Sequence, residues 1–380
     1  MLRFLTAGES HGTGLTVIVE GLPAGLPVSA ELIDNELRRR QLGYGRGKRM
    51  EIEHDAALIQ SGVRNGLTLG SPVSIFIQNL DHGKWTEIMK VSEGISGVPV
   101  TLPRPGHADL AATLKYGFTD IRNSLERASA RETAARVAAG AVFKQLLSQF
   151  GITVSSHTVK IVDTIIREVK LSFNQAEDSL LRCLDPDAEL EMISAIDNAA
   201  KSGDSLGGVS EISAAGMIPG LGSHVHFDRR LDSRIAAALM SIPSVKGVEI
   251  GPAFENAGKC GSEVHDEIFH DRQKGFFRRQ NRAGGVEGGI SNGEPIVVRL
   301  AVKPIPTLQK PLATVDIKTL EPGKAFRDRA DTCVVPAVGV IGEAMLAYVL
   351  ADAFLEKFGC DCLEDIKKAY DSYLKRIASD

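Results

Sequence analysis

The run from Ala337 to Phe358 is apolar nearly all the way round a helix, and no other feature constrains the fold as strongly. A helix on a protein surface carries one apolar stripe, whereas one that is apolar on every side has to be covered on most sides. A second helix-like run, Ala130 to Phe150, carries apolar or small residues at 134, 137, 138, 141, 142 and 146, with charges elsewhere. Each run ends in Phe-Gly, at Phe150-Gly151 and Phe358-Gly359, with glycine at the usual C-terminal stop. Long helices sandwiched between sheets satisfy both patterns. The stretch Cys333 to Leu350 is interrupted by Glu343 and two glycines, so it is read as protein core rather than as a membrane span.

Two further pairs of segments recur in the same order as these helices. Gly21-Leu-Pro-Ala-Gly25-Leu26 parallels Gly216-Met-Ile-Pro-Gly220-Leu221, which precedes a helical pattern at Leu231 to Met240. Gly62-Val-Arg-Asn-Gly66-Leu-Thr-Leu-Gly70-Ser-Pro72-Val parallels Gly285-Val-Glu-Gly-Gly289-Ile-Ser-Asn-Gly293-Glu-Pro295-Ile. Strand-like runs follow both members of that pair, at 73–79 and 296–304. The expectation is an α+β fold of two similar halves related by a pseudo-twofold axis. No Pro/Ser/Gly linker divides the chain, so residues 1–380 are read as one domain, with a more polar lobe at about 159–202.

Composition narrows the function. The chain has 380 residues, a net charge of −4 and ordinary hydrophobic and charged fractions of 43% and 24%, which exclude a disordered or fibrous protein. One Trp and five Tyr leave little for stacking nucleic-acid bases. The five cysteines form no CxxC, and the N-terminus turns polar too soon for a signal peptide, so a reducing, cytoplasmic setting is expected. His224-Val-His226 and His265…His270 lack companion ligands, and no metal is assigned.

Against this slightly acidic background, Leu37 to Met50 gathers Arg38, Arg39, Arg40, Arg46, Lys48 and Arg49 around three glycines. Guanidinium forks suit planar oxyanions, and glycines let backbone approach a ligand, so the segment reads as a loop for a small polyanion. It is not a Walker A loop, because Arg49 follows Lys48 where Ser or Thr would stand. His11 in AGESHG and His107 in RPGHAD sit on glycine-flanked loops where an imidazole can exchange protons with a ligand. Ser129, with Glu132 three residues on, is either a capping box or, with Arg127, a phosphate site at a helix N-terminus. Arg329 and Asp331 precede the apolar helix and are either a surface ion pair or the lip of a pocket.

Taken together, AGESHG at 7–12, RRRQLGYGRGKRM at 38–50, RPGHAD at 104–109, SARETAARVAAGA at 129–141, MSIPSVKGVEIG at 240–251, AGGVEGGISNG at 283–293, KPIPT at 303–307 and RADTCVVPA at 329–337 resemble the chorismate synthase family. The resemblance implies a lyase that removes phosphate and a ring proton from 5-enolpyruvylshikimate 3-phosphate by 1,4-anti elimination, closing the shikimate pathway. It implies reduced FMN as cofactor, NADPH as a candidate reductant with Arg40 and Arg46 near it, a homotetramer, and an external flavin reductase as a candidate partner. Neither nucleic acid nor membrane is an expected partner. By the same resemblance, Ser10, Arg40, Arg46, Arg49, Arg104 and Arg131 would hold the substrate. His11 would protonate the leaving phosphate, His107 would balance charge beside the flavin, and Asp331 would take the ring proton, directly or through the flavin. Flavin contacts map to Arg127, Ala128, Ser129, Pro243, Ser244, Gly288, Lys303, Pro304, Ile305, Pro306, Thr307 and Arg329. Ala128 stands where the family usually has Ser, and Pro243-Ser244 where Asn-Ala is common.

Overall fold

The computed structural model describes residues 1–47, 52–94, 97–167, 171–272, 275–328 and 330–378. The chain runs β1 (Arg3–Ala7), β2 (Gly14–Glu20), α1 (Ala30–Gln41), β3 (Ala57–Ser61), β4 (Val73–Gln78), α2 (Asp109–Tyr116), α3 (Arg122–Ala128) and α4 (Thr133–Ser148). It continues through β5 (Thr153–Ile161), α5 (Pro186–Ser202), β6 (Gly208–Ala215), α6 (Leu231–Met240), β7 (Val245–Ile250), β8 (Ile296–Val302), α7 (Val335–Phe358) and α8 (Leu363–Ala378), with shorter pieces between.

The strands form two main antiparallel sheets. One has the order β1-β2-β4-β3, and the other β5-β6-β8-β7 with Thr164–Ile165 added beside β5. The second order is the first with each strand number raised by four, and α1 and α6, then α4 and α7, occupy corresponding places in it. Alternation explains which faces are covered. Val73, Ile75 and Ile77 on β4 are buried beside their partners Val19, Val17 and Leu15 on β2, and Ile296, Val298 and Leu300 are buried on β8. The opposite face of the first sheet leaves Leu5, Ile18 and Leu58 exposed.

The long recurring segment forms the same object twice. Val63–Arg64 pairs with Leu67–Thr68, and Val286–Glu287 pairs with Ile290–Asn292, each across a two-residue turn. Asn65 and Gly66 have φ of 52° and 74°, and Gly288 and Gly289 have 59° and 84°. A two-residue turn of this kind requires left-handed backbone at both central positions, which is why only Asn and Gly occupy them.

Between the sheets lies the helix layer. α4 packs on β2 and β4, α7 packs on β5 and β6, and the two helices meet each other. They cross at Gly140, where a Cβ would come within 2.2 Å of the Ala344 Cβ. α7 is long and apolar enough to cross a bilayer by length and composition, so interruption by Glu343 does not by itself exclude a span. Its surroundings explain the apolarity instead, since nearly every residue on it is buried by the sheets and by α1, α4 and α6. Glu343, with no exposed side-chain surface, accepts from Ser156 Oγ at 2.6 Å, Arg39 at 2.7 and 2.9 Å, Arg182 at 3.1 Å and Lys144 Nζ. Burial alone would raise its carboxyl, but Lys144, Arg39 and Arg182 hold it well below the usual range.

Two local expectations change. The first long helix begins at Thr133, after a 3-10 turn at Ala130–Glu132. Ser129 Oγ accepts from the Arg131 N–H at 3.3 Å, and Glu132 pairs forward with Arg136 at 2.9 Å, so no capping box forms. The basic segment is also only partly a loop, because Arg38, Arg39 and Arg40 form the last turn of α1. Lys48 and Arg49 lie outside the described residues, as does Arg329.

Candidate active site

A cavity of about 480 Å³ opens where the starts of α4 and α7 come together. Residues 128–131 and Thr133 form one side, and Val334, Ala337, Val338 and Ile341 another. The first turns of both helices therefore contribute to its lining. Leu125, Met240, Ile242 and Val245 extend the apolar wall, and arginines and loop histidines line the rest.

The arginines and both imidazoles lining the cavity are braced by carboxylates. Buried His11 meets Glu126 through Nδ1 at 2.9 and 3.0 Å, and its backbone N–H donates to the same carboxylate at 2.9 Å. Its ring stacks on Trp85 with centroids 3.9 Å apart. His107 Nδ1 lies 2.5 Å from Asp109 Oδ1, and Arg104 donates to Asp109 at 2.8 Å and to Thr307 Oγ1 at 2.9 Å. Burial works against the Asp109 charge, but bonds from His107 and Arg104 hold its carboxyl far below the ordinary range.

Arg40 and Arg131 share Asp55, at 2.8 and 2.6 Å, and Arg131 also donates to Asn79 at 2.9 Å. Burial pushes the Arg40 guanidinium down to about 10, with Asp55 opposing and Arg131 and Arg46 reinforcing the shift. Its Nε is buried and has no hydrogen-bond partner among the described residues. Buried Glu53 also stands 3.7 Å from Arg131, so two acids face the two guanidiniums. Asp331 comes from the far side, accepting from Gly47 N–H at 2.5 Å and pairing with Arg46 at 3.5 Å. Lys303 donates to the Gly106 carbonyl at 2.5 Å, and burial together with Lys246 lowers its pKa.

The expected site residues Ser10, His11, Arg40, Arg46, Arg104, His107, Ala128, Ser129 and Arg131 all line this cavity. From the second half Pro243, Ser244, Lys303, Ile305, Pro306, Thr307 and Asp331 join them. Three others stand apart. Arg127 turns back to the Thr6 carbonyl at 3.0 Å and lines a second cavity with Phe4 and Tyr348. Gly288 is exposed in a hairpin turn with left-handed backbone, away from the lining of this cavity. Pro304 packs against Gly207 rather than lining the cavity. Glu126, Asp55, Asn79 and Trp85 went unrecognised in the sequence. Their one legible signal was that Trp85 is the only tryptophan. Among the described residues no group of three His, Cys, Asp or Glu could hold a metal ion.

Fold and site together define a small-molecule enzyme cleft lined by guanidiniums and two imidazoles. The family profile described as chorismate synthase matches residues 2–355. A chorismate synthase of Desulforudis audaxviator (strain MP104C) is 58% identical over 99% of this chain and 98% of its own length. One of Aquifex aeolicus (strain VF5) is 56% identical over 100% and 98%. A solved crystal structure of a chorismate synthase superposes with a TM-score of 0.81 at 47% identity, covering 100% of this chain and 99% of the other. The chain belongs to the chorismate synthase family.

Proposed function

We propose that this protein is a carbon–oxygen lyase that converts 5-enolpyruvylshikimate 3-phosphate to chorismate and inorganic phosphate. The observation that carries the reading is the convergence of the family's motif residues, from both halves of the chain, on one cavity. We take those halves to be copies of one unit, and the shared strand order supports this. The substrate carries two carboxylates and a phosphate. Arg40, Arg46, Arg104 and Arg131 supply matching guanidiniums.

The family implies a flavin, which we take to be reduced FMN. The residues fit such a group, because a broad apolar wall (Leu125, Met240, Ile242, Val338 and Ile341) faces polar Thr307, Lys303 and His107 within one cavity. Ser129, Pro243, Ser244, Lys303 and Thr307 would hold it, and when bound it supplies an electron transiently to weaken the scissile C–O bond. His11 Nε2 gives a proton to the departing phosphate oxygen. Asp331 accepts the ring proton, and the new ring double bond forms as the C–O bond breaks, so the reaction is redox-neutral overall. Arg46, paired with Asp331, holds that carboxylate in place at the cavity. His107, held by Asp109, offsets negative charge on the ring system.

NADPH as reductant, a separate flavin reductase, a homotetramer, the single-domain reading with its lobe at 159–202, and a cytoplasmic setting complete the proposal. Anaerobic mixing of the protein, reduced FMN and substrate tests it. Stoichiometric phosphate and chorismate absorbance are expected, and absence of both with reduced flavin present would refute the reading.

A further inference from the structure

We infer that Glu126, the buried acid on α3, is the positioning residue that makes His11 a proton donor. This rests on the proposed elimination, because it concerns the residue assigned to the leaving phosphate. The Glu126 side chain is 2% exposed and spends both oxygens on the His11 loop and on Arg122, whose Nη1 lies 2.9 Å away. The Ser10 N–H donates to the Glu126 carbonyl at 3.0 Å, so two successive loop residues are tied to one helical position.

The chemistry follows from what a carboxylate can do. An ionised carboxylate only accepts hydrogen bonds, so Nδ1 of His11 must carry a proton. Nε2, with no hydrogen-bond partner among the described residues, is the nitrogen left to the cavity. In the neutral ring that nitrogen holds a lone pair and cannot donate. Only the imidazolium has a proton there, with its Nδ1–H held by Glu126. Burial works against the Glu126 charge, but the bonds from His11 and the Arg122 guanidinium keep the carboxyl below its ordinary range. Other charged or titratable groups around the ring are Glu9 in the same loop, His82, whose Nδ1 meets the His11 carbonyl at 2.9 Å, and the guanidiniums of Arg40, Arg46 and Arg131. On transfer the Nε2–H bond breaks and an O–H bond forms on the departing phosphate. The neutral ring is left with its Nδ1 proton on Glu126, ready to be recharged from solvent.

Trp85 provides a readout that needs neither flavin nor substrate. It is the only tryptophan and stacks on His11, and an imidazolium quenches indole emission more strongly than a neutral imidazole. Emission of the whole protein, excited selectively at tryptophan, should therefore change with pH, and His11→Asn should abolish that transition. Glu126→Gln keeps the shape and removes the charge. Its transition should move to lower pH by about one unit or more. Its kcat should fall at least roughly 10-fold with KM little changed, and the alkaline limb of its pH profile should shift the same way. Arg122→Gln, which removes the competing cation, should move the transition toward higher pH, and it serves as the test if Glu126→Gln fails to fold. Unmoved transitions in the folded variants, or a raised KM with unchanged kcat, would overturn the assignment. A shifted transition in a protein that makes no chorismate would uphold the pairing and defeat the proposed elimination instead.

Discussion

Arg39 and Arg40 are neighbours on α1, yet one faces the buried Glu343 network and the other the active-site cavity. Successive helical residues point about 100° apart, so adjacent arginines in a basic run have separate fates. Asp55 decides what Arg40 and Arg131 can do, since it is the carboxylate both guanidiniums share. Replacing Asp55 by Ala should destabilise the protein by about 3–5 kcal/mol, because buried Arg40 loses its carboxylate and Arg131 keeps only Glu53, 3.7 Å away. Added phosphate should recover part of that loss by binding only the folded state, visible as a larger rise in Tm than the parent protein gains. An equal rise in both proteins would show that Asp55 is not the relevant counterion. His11→Ala should cut turnover by roughly 10²–10⁴-fold while flavin binding, followed by titration of flavin fluorescence, stays nearly intact. Loss of flavin binding in that variant would contradict its placement at the phosphate.

At the level of elements, the α4–α7 crossing leaves no room for a side chain at its centre. Gly140 lets the helices approach until a Cβ would stand 2.2 Å from the Ala344 Cβ and 2.5 Å from its Cα. Because the second distance is to backbone, a rotamer change cannot relieve it. Gly140→Val should therefore cost about 1–3 kcal/mol or more, measured by urea unfolding. It should also lower substrate affinity, since the first turns of the same two helices form the cavity. A Gly140→Val protein with parental stability would mean that the crossing is more pliable than its geometry implies.

For the whole molecule, buried acids paired with cations set the response to pH. Glu343, Asp55, Glu126 and Asp109 all have carboxyls held below their ordinary values of 3.8 to 4.5. In that window the unfolded chain binds more protons than the folded one, so stability rises with pH. The contribution is complete above the ordinary values and is lost as pH falls through and below them. Urea midpoints should hold steady from neutral pH to about 5 and then drop steeply toward pH 3. A flat profile to pH 3 would mean these carboxyls are not depressed. Glu343 joins α1, α4, β5 and α7 at once, so acid should loosen the helix layer as a unit.

The all-round apolar run, the recurring glycine segments and the alternating strands were legible because each is a local pattern imposed by burial or by backbone dihedrals. Those patterns gave helices between sheets, whereas most site residues were assigned through resemblance to the family. What the sequence could not reveal was which acid answers which base. His11 and Glu126 are 115 residues apart, and Glu343 lies 304 residues from Arg39. A glutamate destined for burial carries no local mark, because its environment is made by elements far away in the chain. Gly288 is the opposite case, a motif glycine whose left-handed backbone is legible from its local turn. The sequence alone determined the layers and the stock of cations and imidazoles. Only the tertiary structure decided their partners, because pairing depends on distances that folding sets.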